Sequence, residues 1–287
     1  MGDFEELVAE ASAVSVSGWD FSWLDGRATE ERPSWGYSAM LAERMARARV
    51  ALDVQTGGGE VLAGVPRLAP VTVATEGWPP NLARARSVLG PRGVTVVADQ
   101  DEPASTLHES GRPPLAMPLA RAKAGPSARF DKCSPLPFRD DVFDLVVSRH
   151  PVTTWWSEIA RVLAPGGTYL SQEVGPASVF ELVEFFLGPQ PEDVRNGRHP
   201  DRTRRGAEDA GLEVVDLRME RLRTEFHDIG AVVYFLRKVI WMVPGFTVAE
   251  YRARLRELHD LIETEGRFLA HTTRILVEAR KPSTVDS

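Results

Sequence analysis

The stretch from Arg49 to Val65 reads RVALDVQTGGGEVLAGV. A short apolar run typical of a buried strand leads into three consecutive glycines and then into a segment compatible with a helix. In open α/β sheets, ligands bind outside the carboxyl ends of the strands, and a glycine turn before a helix lets them approach backbone N–H groups. The stretch therefore predicts a ligand-binding turn between a strand and a helix.

Seven short apolar runs have the composition of β-strands. They read VALDV, PVTVATE, GVTVVADQ, FDLVVSR, GTYLSQEV, LEVVDLRMERL and TRILVEAR, and they alternate with segments of helical character. Strands that alternate with helices indicate a parallel sheet covered by helices on both faces. The sequence thus predicts an α/β fold with a doubly wound, Rossmann-like sheet of seven mostly parallel strands.

The remaining segments predict the domain organisation. Residues 1–48 combine helical spacing with several aromatic residues and predict an N-terminal helical lid, including a helix over roughly 37–47. Residues 49–281 form the predicted main domain. Within and after this domain we expect an inserted loop at 101–130, cap helices at about 178–200 and 228–265, and a tail at 282–287.

Composition excludes several classes of partner. The chain has 287 residues, 43% of them hydrophobic, and a net charge of -7, so no global field attracts a phosphate backbone or an anionic membrane. The single cysteine, Cys133, excludes an internal disulfide, and nothing at the N-terminus reads as a signal peptide. We therefore expect a cytoplasmic monomer or homodimer without a nucleic-acid or membrane partner.

The spacing of the glycines discriminates between nucleotide-binding motifs. The dinucleotide fingerprint GxGxxG fails, because counting from Gly57 places Leu62 at the third glycine. A YxxxK match from Tyr234 to Lys238 lacks the glycine spacing of short-chain dehydrogenases, and we interpret it as chance in an apolar helix. An acid followed by GxGxG does fit, beginning at Asp53, except for Gln55 at the first glycine.

With this spacing, the chain resembles class I S-adenosylmethionine (SAM) dependent methyltransferases from about Arg49 to Lys281. Four further blocks follow in the family's order: VTVATEGWPPNLARAR, VTVVADQ, LPFRDDVFDLVVSRH and EIARVLAPGGTYLSQEV. The resemblance implies that SAM is the cofactor and S-adenosylhomocysteine the product. Within the family, the chain is most similar to the quinone-biosynthesis-type branch.

The resemblance also implies which residues bind the cofactor. Glu76, at the end of the second predicted strand, matches the acid that binds the ribose hydroxyls, and Asp99 and Gln100 follow the third strand, where the family binds adenine. Arg149 could also bind an acidic substrate group or pair with Glu173 or Asp144. The implied cofactor-binding set is Asp53, Gln55, Thr56, Gly57, Gly59, Glu76, Gly77, Trp78, Asp99, Gln100 and Arg149.

Gln55 departs from the family pattern, which has glycine where the backbone passes the aminoacyl end of SAM. In one interpretation Gln55 adopts an allowed backbone conformation, and its side chain points aside or bonds to that end of the cofactor. In the other, SAM binding is lost. We favour the first, because Gly57, Gly58 and Gly59 remain.

Candidate catalytic residues follow the strands that face the acceptor in this fold. His150 follows the fourth predicted strand, where a neutral imidazole could remove a proton near pH 7, or could simply bond to a loop backbone. Glu173 ends the fifth strand and could orient His150 or the acceptor. His227 is the third candidate catalytic residue, with its role left open; it precedes Asp228, which we interpret as a helix N-cap. No cluster at metal-ligand spacing stands out, and we expect no metal.

The predicted function is transfer of a methyl group from SAM to a small-molecule acceptor. An aromatic-rich lid favours an aromatic or heteroaromatic acceptor, such as an indole- or phenol-type metabolite of bacterial specialised biosynthesis. Two alternatives stay open: an RNA or protein methyltransferase, and a SAM-binding protein that has lost catalysis.

Overall fold

The structure is a computed structural model that describes residues 2–16, 20–99 and 136–283. Its centre is an eight-stranded sheet with the strand order β1-β7-β8-β6-β5-β2-β3-β4. The strands are β1 (Ala28–Glu30), β2 (Val50–Asp53), β3 (Val71–Thr75), β4 (Thr95–Val97), β5 (Phe143–Arg149), β6 (Leu163–Val174), β7 (Glu213–Phe226) and β8 (Phe268–Arg280).

Helices cover both faces and one end of this sheet. In the described residues they are α1 (Phe4–Ala13), α2 (Tyr37–Arg47), α3 (Glu60–Ala63), α4 (Pro79–Leu89), α5 (Trp156–Val162), α6 (Phe180–Leu187), α7 (Glu192–Arg195), α8 (Pro200–Asp209), α9 (Ile229–Lys238) and α10 (Arg252–Glu265). The helix predicted over roughly 37–47 coincides with α2.

Alternation of side chains along the strands creates two cores. Successive residues of a strand point to opposite faces of a sheet. Ala51 therefore packs with Met45, Leu62 and Leu89 of α2, α3 and α4, whereas its neighbour Leu52 belongs to the core under α5 and α8. A third apolar cluster joins α1, α6, α9 and α10 beyond the end of the sheet. Burial on both faces thus explains the apolar runs of β2, β5, β6 and β8.

The strand directions match the prediction of a mostly parallel sheet. β2 pairs in parallel with β3 and β5, β3 with β4, and β5 with β6, while β8 runs antiparallel between β6 and β7. The predicted number of strands was wrong. An eighth strand, β1, comes from the predicted lid and pairs antiparallel with the end of β7, where Ala28 faces Phe226. Three residues give too short a pattern to predict a strand, and here the exposed edge of β7 provides the pairing partner.

The structure describes the two predicted cap segments but not the predicted inserted loop. The predicted inserted loop at 101–130 lies outside the described residues, as does Gln100. α6 and α7 fall in the predicted cap segment at 178–200, and α9 and α10 in the segment at 228–265. The apolar segment with Arg237 and Lys238 forms α9, as predicted. Among the described residues, none of the helices has the length and apolar character needed to cross a membrane.

The N-cap of α9 provides a test of the fold. Asp228 Oδ1 accepts a hydrogen bond of 2.8 Å from the Ala231 backbone N–H, which confirms the predicted cap. Asp228→Ala should lower the free energy of unfolding by about 1 kcal/mol, because a helix N–H loses its partner. Asp228→Asn keeps an acceptor and should remain close to wild type in urea denaturation. Equal stability of the alanine variant and wild type would contradict this role.

Candidate active site

The site is centred where two neighbouring strands, β2 and β5, end at the same edge of the sheet. The chain leaves β2 towards β3 and β4, and it leaves β5 towards β6 on the other side, so a crevice opens between the two strand ends. The residues that turn the chain there, Gln55 and His150, both have left-handed backbones, with φ of 56° and 55°. Such conformations are unfavourable for residues other than glycine and cluster at functional sites.

The side chain of Gln55 spans this crevice. Its Nε2 donates a hydrogen bond of 2.8 Å to the Thr153 carbonyl, and its Oε1 accepts one of 2.7 Å from the Val152 N–H. Its backbone N–H bonds to Thr75 Oγ1 on β3 at 3.2 Å. Gln55 therefore adopts the left-handed backbone that glycine would supply and uses its side chain to hold the loop after β5.

The glycine turn is held by a network of short polar contacts. Gly57 and Gly59 have φ of 64° and 84°, and a Cβ on Gly59 would lie 2.8 Å from Leu89 Cγ. Thr56 Oγ1 donates a hydrogen bond of 2.6 Å to Asp53 Oδ2. Glycine is thus required at 59 both by its backbone conformation and by the close approach of α4.

Three buried carboxylates lie at the ends of adjacent strands. Asp53, Glu76 and Asp99 end or follow β2, β3 and β4, and each side chain is buried. Glu76 accepts hydrogen bonds from the backbone N–H groups of Gly57 at 2.9 Å and Trp78 at 2.8 Å. These two bonds hold the carboxylate of Glu76 in a fixed orientation beside the glycine turn.

Three further residues of the predicted cofactor set, Gly77, Trp78 and Arg149, lie at the same edge of the sheet. Gly77 joins Glu76 to Trp78, whose indole is 47% exposed at the start of α4. Arg149 is exposed. It borders a cavity of about 220 Å³ between α2 and α3, beside Ser38 and Glu60. Arg149 forms no ion pair with Glu173 or Asp144: Thr154 and Thr203 bind Glu173, and Arg49 binds Asp144.

His150 is connected to the N-terminal segment through Gln172. Its backbone N–H donates to the Gln172 carbonyl at 2.7 Å, and its Nε2 lies 3.2 Å from Gln172 Nε2. Gln172 Oε1 accepts a hydrogen bond of 2.9 Å from Trp35 Nε1. Burial, together with the positive charges of Arg149, Arg274 and Arg198, lowers the pKa of His150 well below 6.5. His150 is therefore neutral at physiological pH.

Glu173 lines a cavity of about 250 Å³ at the ends of β5 and β6. Its two carboxylate oxygens accept hydrogen bonds of 3.0 Å from Thr154 Oγ1 and Thr203 Oγ1. Burial raises the pKa of Glu173, and the two hydroxyls and the charge of Arg198 oppose that rise. The cavity is further lined by Pro151, Val152, Trp156, Val174, Gly197, Arg198, His199 and Arg202.

The third candidate catalytic residue lies apart from the other two. His227 follows β7, which is separated from β5 by β8 and β6, and its backbone N–H bonds to the Arg27 carbonyl at 2.8 Å. The structure brings His150 and Glu173 to neighbouring strand ends but does not bring His227 to them. Across residues 2–16, 20–99 and 136–283, no group of three or more His, Cys, Asp or Glu side chains is arranged to hold a metal ion.

Sequence reasoning misses several residues of this site. Trp35 stands out in the sequence only as an aromatic residue of the lid, and Gln172 only as the neighbour of Glu173. Their hydrogen bond joins positions 137 residues apart, and no local pattern encodes such a contact. Arg198 lies in a polar connection before α8, and no pattern in the sequence marks it as a residue of the site.

Comparisons with known proteins establish the fold. No protein-family model matches the sequence, and no curated protein matches it. The structure is similar to that of a proposed methyltransferase from Bacillus halodurans C-125, with a TM-score of 0.54 and 17% identity over 87% of this chain and 99% of that chain. The structure is also similar to that of the YcgJ protein of Bacillus subtilis, with a TM-score of 0.51 and 15% identity over 86% of this chain and 98% of that chain.

A third similar structure comes from work on the conversion of a disulfide bond into a thioacetal group during echinomycin biosynthesis. It has a TM-score of 0.50 and 13% identity, over 99% of this chain and 94% of that one. At such low identities the likeness shows the fold alone. The chain has an α/β methyltransferase fold, with eight strands instead of seven.

Asp53 gives the folded protein a testable pH dependence. Burial raises its pKa to about 7, with the Thr56 hydrogen bond opposing and the charge of Glu76 adding to the rise. The folded state therefore holds a proton that the unfolded chain loses near pH 3.9, and stability falls as pH rises from about 4 through 7. Asp53→Asn should raise the free energy of unfolding by roughly 1 to 4 kcal/mol at pH 8. This gain should shrink as pH falls towards 4.

Urea denaturation across this pH range measures the effect. Asp25→Asn, at an exposed position, serves as the matched control and should behave like wild type at every pH. A gain for Asp53→Asn that does not vary with pH would show that the charge of Asp53 is not its source.

Proposed function

We propose that this protein is an enzyme that transfers a methyl group from SAM to a small-molecule acceptor. The observation that carries the proposal is the buried carboxylate of Glu76, fixed by two backbone N–H groups beside the glycine turn. A ribose diol is bound best by a carboxylate that is held in place, because hydrogen bonds to an ionised acceptor are strong. The fold shared with the Bacillus halodurans protein supports this interpretation.

The residues at the strand ends fit the parts of SAM. Glu76 would accept hydrogen bonds from the ribose hydroxyls. The exposed Trp78 offers an apolar surface for the adenine, and Asp99 lies at the end of the neighbouring strand β4. The backbone of the glycine turn would receive the aminoacyl end. SAM supplies a methyl group on a positively charged sulfur, so the protein has to align the acceptor with that methyl group and exclude water.

The acceptor proposed here is small. The cavity beside Glu173 has a volume of about 250 Å³, below the roughly 300 to 1,000 Å³ of pockets for drug-sized ligands. Two aromatic residues of the predicted lid have structural partners: Trp35 bonds to Gln172, and the ring of Trp23 packs on that of Tyr234 with centroids 4.9 Å apart. Trp156 does line the cavity, so one aromatic surface remains for a ring of the acceptor.

The metabolic role, family branch, location and oligomeric state of the protein are parts of the same proposal. A role in bacterial specialised metabolism rests on the sequence, because the structural likeness shows the fold alone. Membership of the quinone-biosynthesis-type branch, a cytoplasmic location and a monomeric or homodimeric state rest on the sequence. Methylation of oxygen, nitrogen or carbon is compatible with this fold.

One observation favours a second candidate, a SAM-binding protein without catalysis. Gln55 ties the loops after β2 and β5 together across the crevice where the aminoacyl end of the cofactor would dock. Calorimetry with SAM, followed by turnover on a metabolite extract, separates this candidate from the enzyme. Binding without turnover would favour it.

Cofactor binding tests the role of Glu76. The protein should bind SAM and S-adenosylhomocysteine with micromolar affinity, about -8 kcal/mol. Glu76→Ala should weaken binding by roughly 1.5 to 3 kcal/mol, because a charged acceptor of hydroxyl hydrogen bonds is lost. Glu43→Ala on the exposed face of α2 is the matched control, and circular dichroism checks that both variants fold. Absence of binding heat at millimolar ligand would reject the proposal.

A pair of substitutions at Gln55 tests its two roles. Gln55→Gly removes two hydrogen bonds but also relieves a left-handed backbone, so the free energy of unfolding should stay within about 1 kcal/mol of wild type. Gln55→Ala loses the bonds without that relief and should be less stable by roughly 1 to 3 kcal/mol. The affinity of the glycine variant for SAM should stay within about threefold. A larger change would make Gln55 a direct cofactor contact.

A further inference from the structure

The hydrogen bonds around Gln172 fix which nitrogen of His150 carries the proton. The indole N–H of Trp35 can only donate, so the atom of Gln172 that it contacts at 2.9 Å must be the carbonyl oxygen. The amide nitrogen of Gln172 then faces His150 Nε2 at 3.2 Å and can only donate to it. His150 Nε2 is therefore the acceptor, and the proton of the neutral ring is on Nδ1.

This arrangement makes His150 a hydrogen-bond donor. Its one basic nitrogen is already occupied by Gln172, and Nδ1–H forms no hydrogen bond to another described residue. Three positive charges act on the ring, from Arg149 on β5, Arg274 on β8 and Arg198 before α8. Arg274 is paired with Glu30, which leaves Arg198 as the arginine that also lines the neighbouring cavity. A neutral donor close to such a cation is suited to binding an anion.

The neighbouring cavity has the same character. Pro151, next to His150, lines it together with Arg198 and Arg202. Within the described part of the chain, neither of these guanidinium groups forms an ion pair. Arg198 lines the cavity together with Glu173, and its charge also acts on the neighbouring ring of His150. The one carboxylate of the lining, Glu173, is held by Thr154 and Thr203.

We propose that the acceptor is a small carboxylic acid, whose carboxylate is bound by Arg198, Arg202 and the Nδ1–H of His150. That this acid accepts a methyl group rests on the proposed function, whereas the acid site itself does not depend on it. Glu173 would receive a hydroxyl or amino group of the same molecule, which makes an amino or hydroxy acid the best match. A phosphate dianion fits less well, because it would place two negative charges near Glu173.

Trp35 and Gln172 are positioning residues in this arrangement. They hold His150 in the form that donates to the carboxylate, and they leave it unable to remove a proton through Nε2. The sequence suggested that His150 removes a proton from the acceptor. In this proposal, His150 instead binds the carboxylate of the acceptor.

Calorimetry with matched probes tests the acid site. L-phenylalanine carries both groups, 3-phenylpropanoate only the carboxylate, and phenethylamine only the amine. We expect the amino acid to bind most tightly, the acid to bind, and the amine and inorganic phosphate to bind at least tenfold more weakly than the amino acid. Arg198→Gln and Arg202→Gln should each weaken binding of the acid at least fivefold. Arg205→Gln, on the exposed face of α8, is the control and should leave it unchanged.

Substitutions at His150 separate donation from a structural role. His150→Asn places an N–H donor near the position of Nδ1, and asparagine tolerates a left-handed backbone, so binding of the acid should stay within about threefold. His150→Ala should weaken that binding at least fivefold. Equal affinities of the two variants would remove His150 from the site.

The tautomer has its own signature. Nitrogen-15 NMR of the imidazole should show the proton on Nδ1 in wild type. In Gln172→Glu the carboxylate still accepts from Trp35 but can only accept from His150, so the proton should move to Nε2 and the pKa of the ring should rise. A wild-type spectrum with the proton on Nε2 would overturn the assignment.

The two proposals fail in different ways. Titrations are run with and without S-adenosylhomocysteine, whose own binding heat reports the cofactor site. Cofactor binding, with acid probes that bind no better than phenethylamine, would reject the acid site and leave methyl transfer in place. Acid binding that depends on Arg198, with no cofactor binding, would retain the acid site and reject methyl transfer.

Discussion

The pair of left-handed turns at the ends of β2 and β5 is the constraint on which the site depends. The two strands are hydrogen-bonded neighbours, and the chain must leave them in opposite directions. Gln55 and His150 make these turns with backbones that glycine would adopt more easily. Surrounding bonds hold them there: Gln55 to the loop of Val152 and Thr153, and His150 to Gln172. The strain is thus maintained at the edge where ligands bind in this fold.

The N-terminal segment completes that edge instead of merely covering it. Tyr37 donates a hydrogen bond of 2.9 Å to the Ser148 carbonyl, and Ser148 in turn donates one of 2.9 Å to the Val54 carbonyl. Trp35 reaches Gln172 and, through it, His150. The indole and the phenol are therefore parts of the support for both central turns, and removing the segment would free polar groups at the ends of β5 and β6.

Sequence reasoning located the parts of the site that follow from local rules. Strand periodicity placed Asp53, Glu76 and Asp99 at strand ends, and the glycine spacing placed the turn between β2 and α3. Contacts between distant segments could not be read in this way. The direction of the Gln55 side chain depends on the loop after β5, and the tautomer of His150 depends on Trp35. The same limit applies to β1, which needs the edge of β7 to form.

Charge is divided along the carboxyl edge of the sheet, although the chain as a whole is acidic. Buried carboxylates end or follow β2, β3 and β4, whereas the cavity at the ends of β5 and β6 is lined by two arginines, Arg198 and Arg202, and one carboxylate, Glu173. In the proposed function, a cationic sulfonium would be favoured on the first, acidic half of this edge and an anionic acceptor on the second, arginine-lined half. The Gln55 bridge lies at the boundary between the halves. With both ligands bound, their opposite charges would attract each other across that boundary. Binding of either ligand would therefore favour binding of the other.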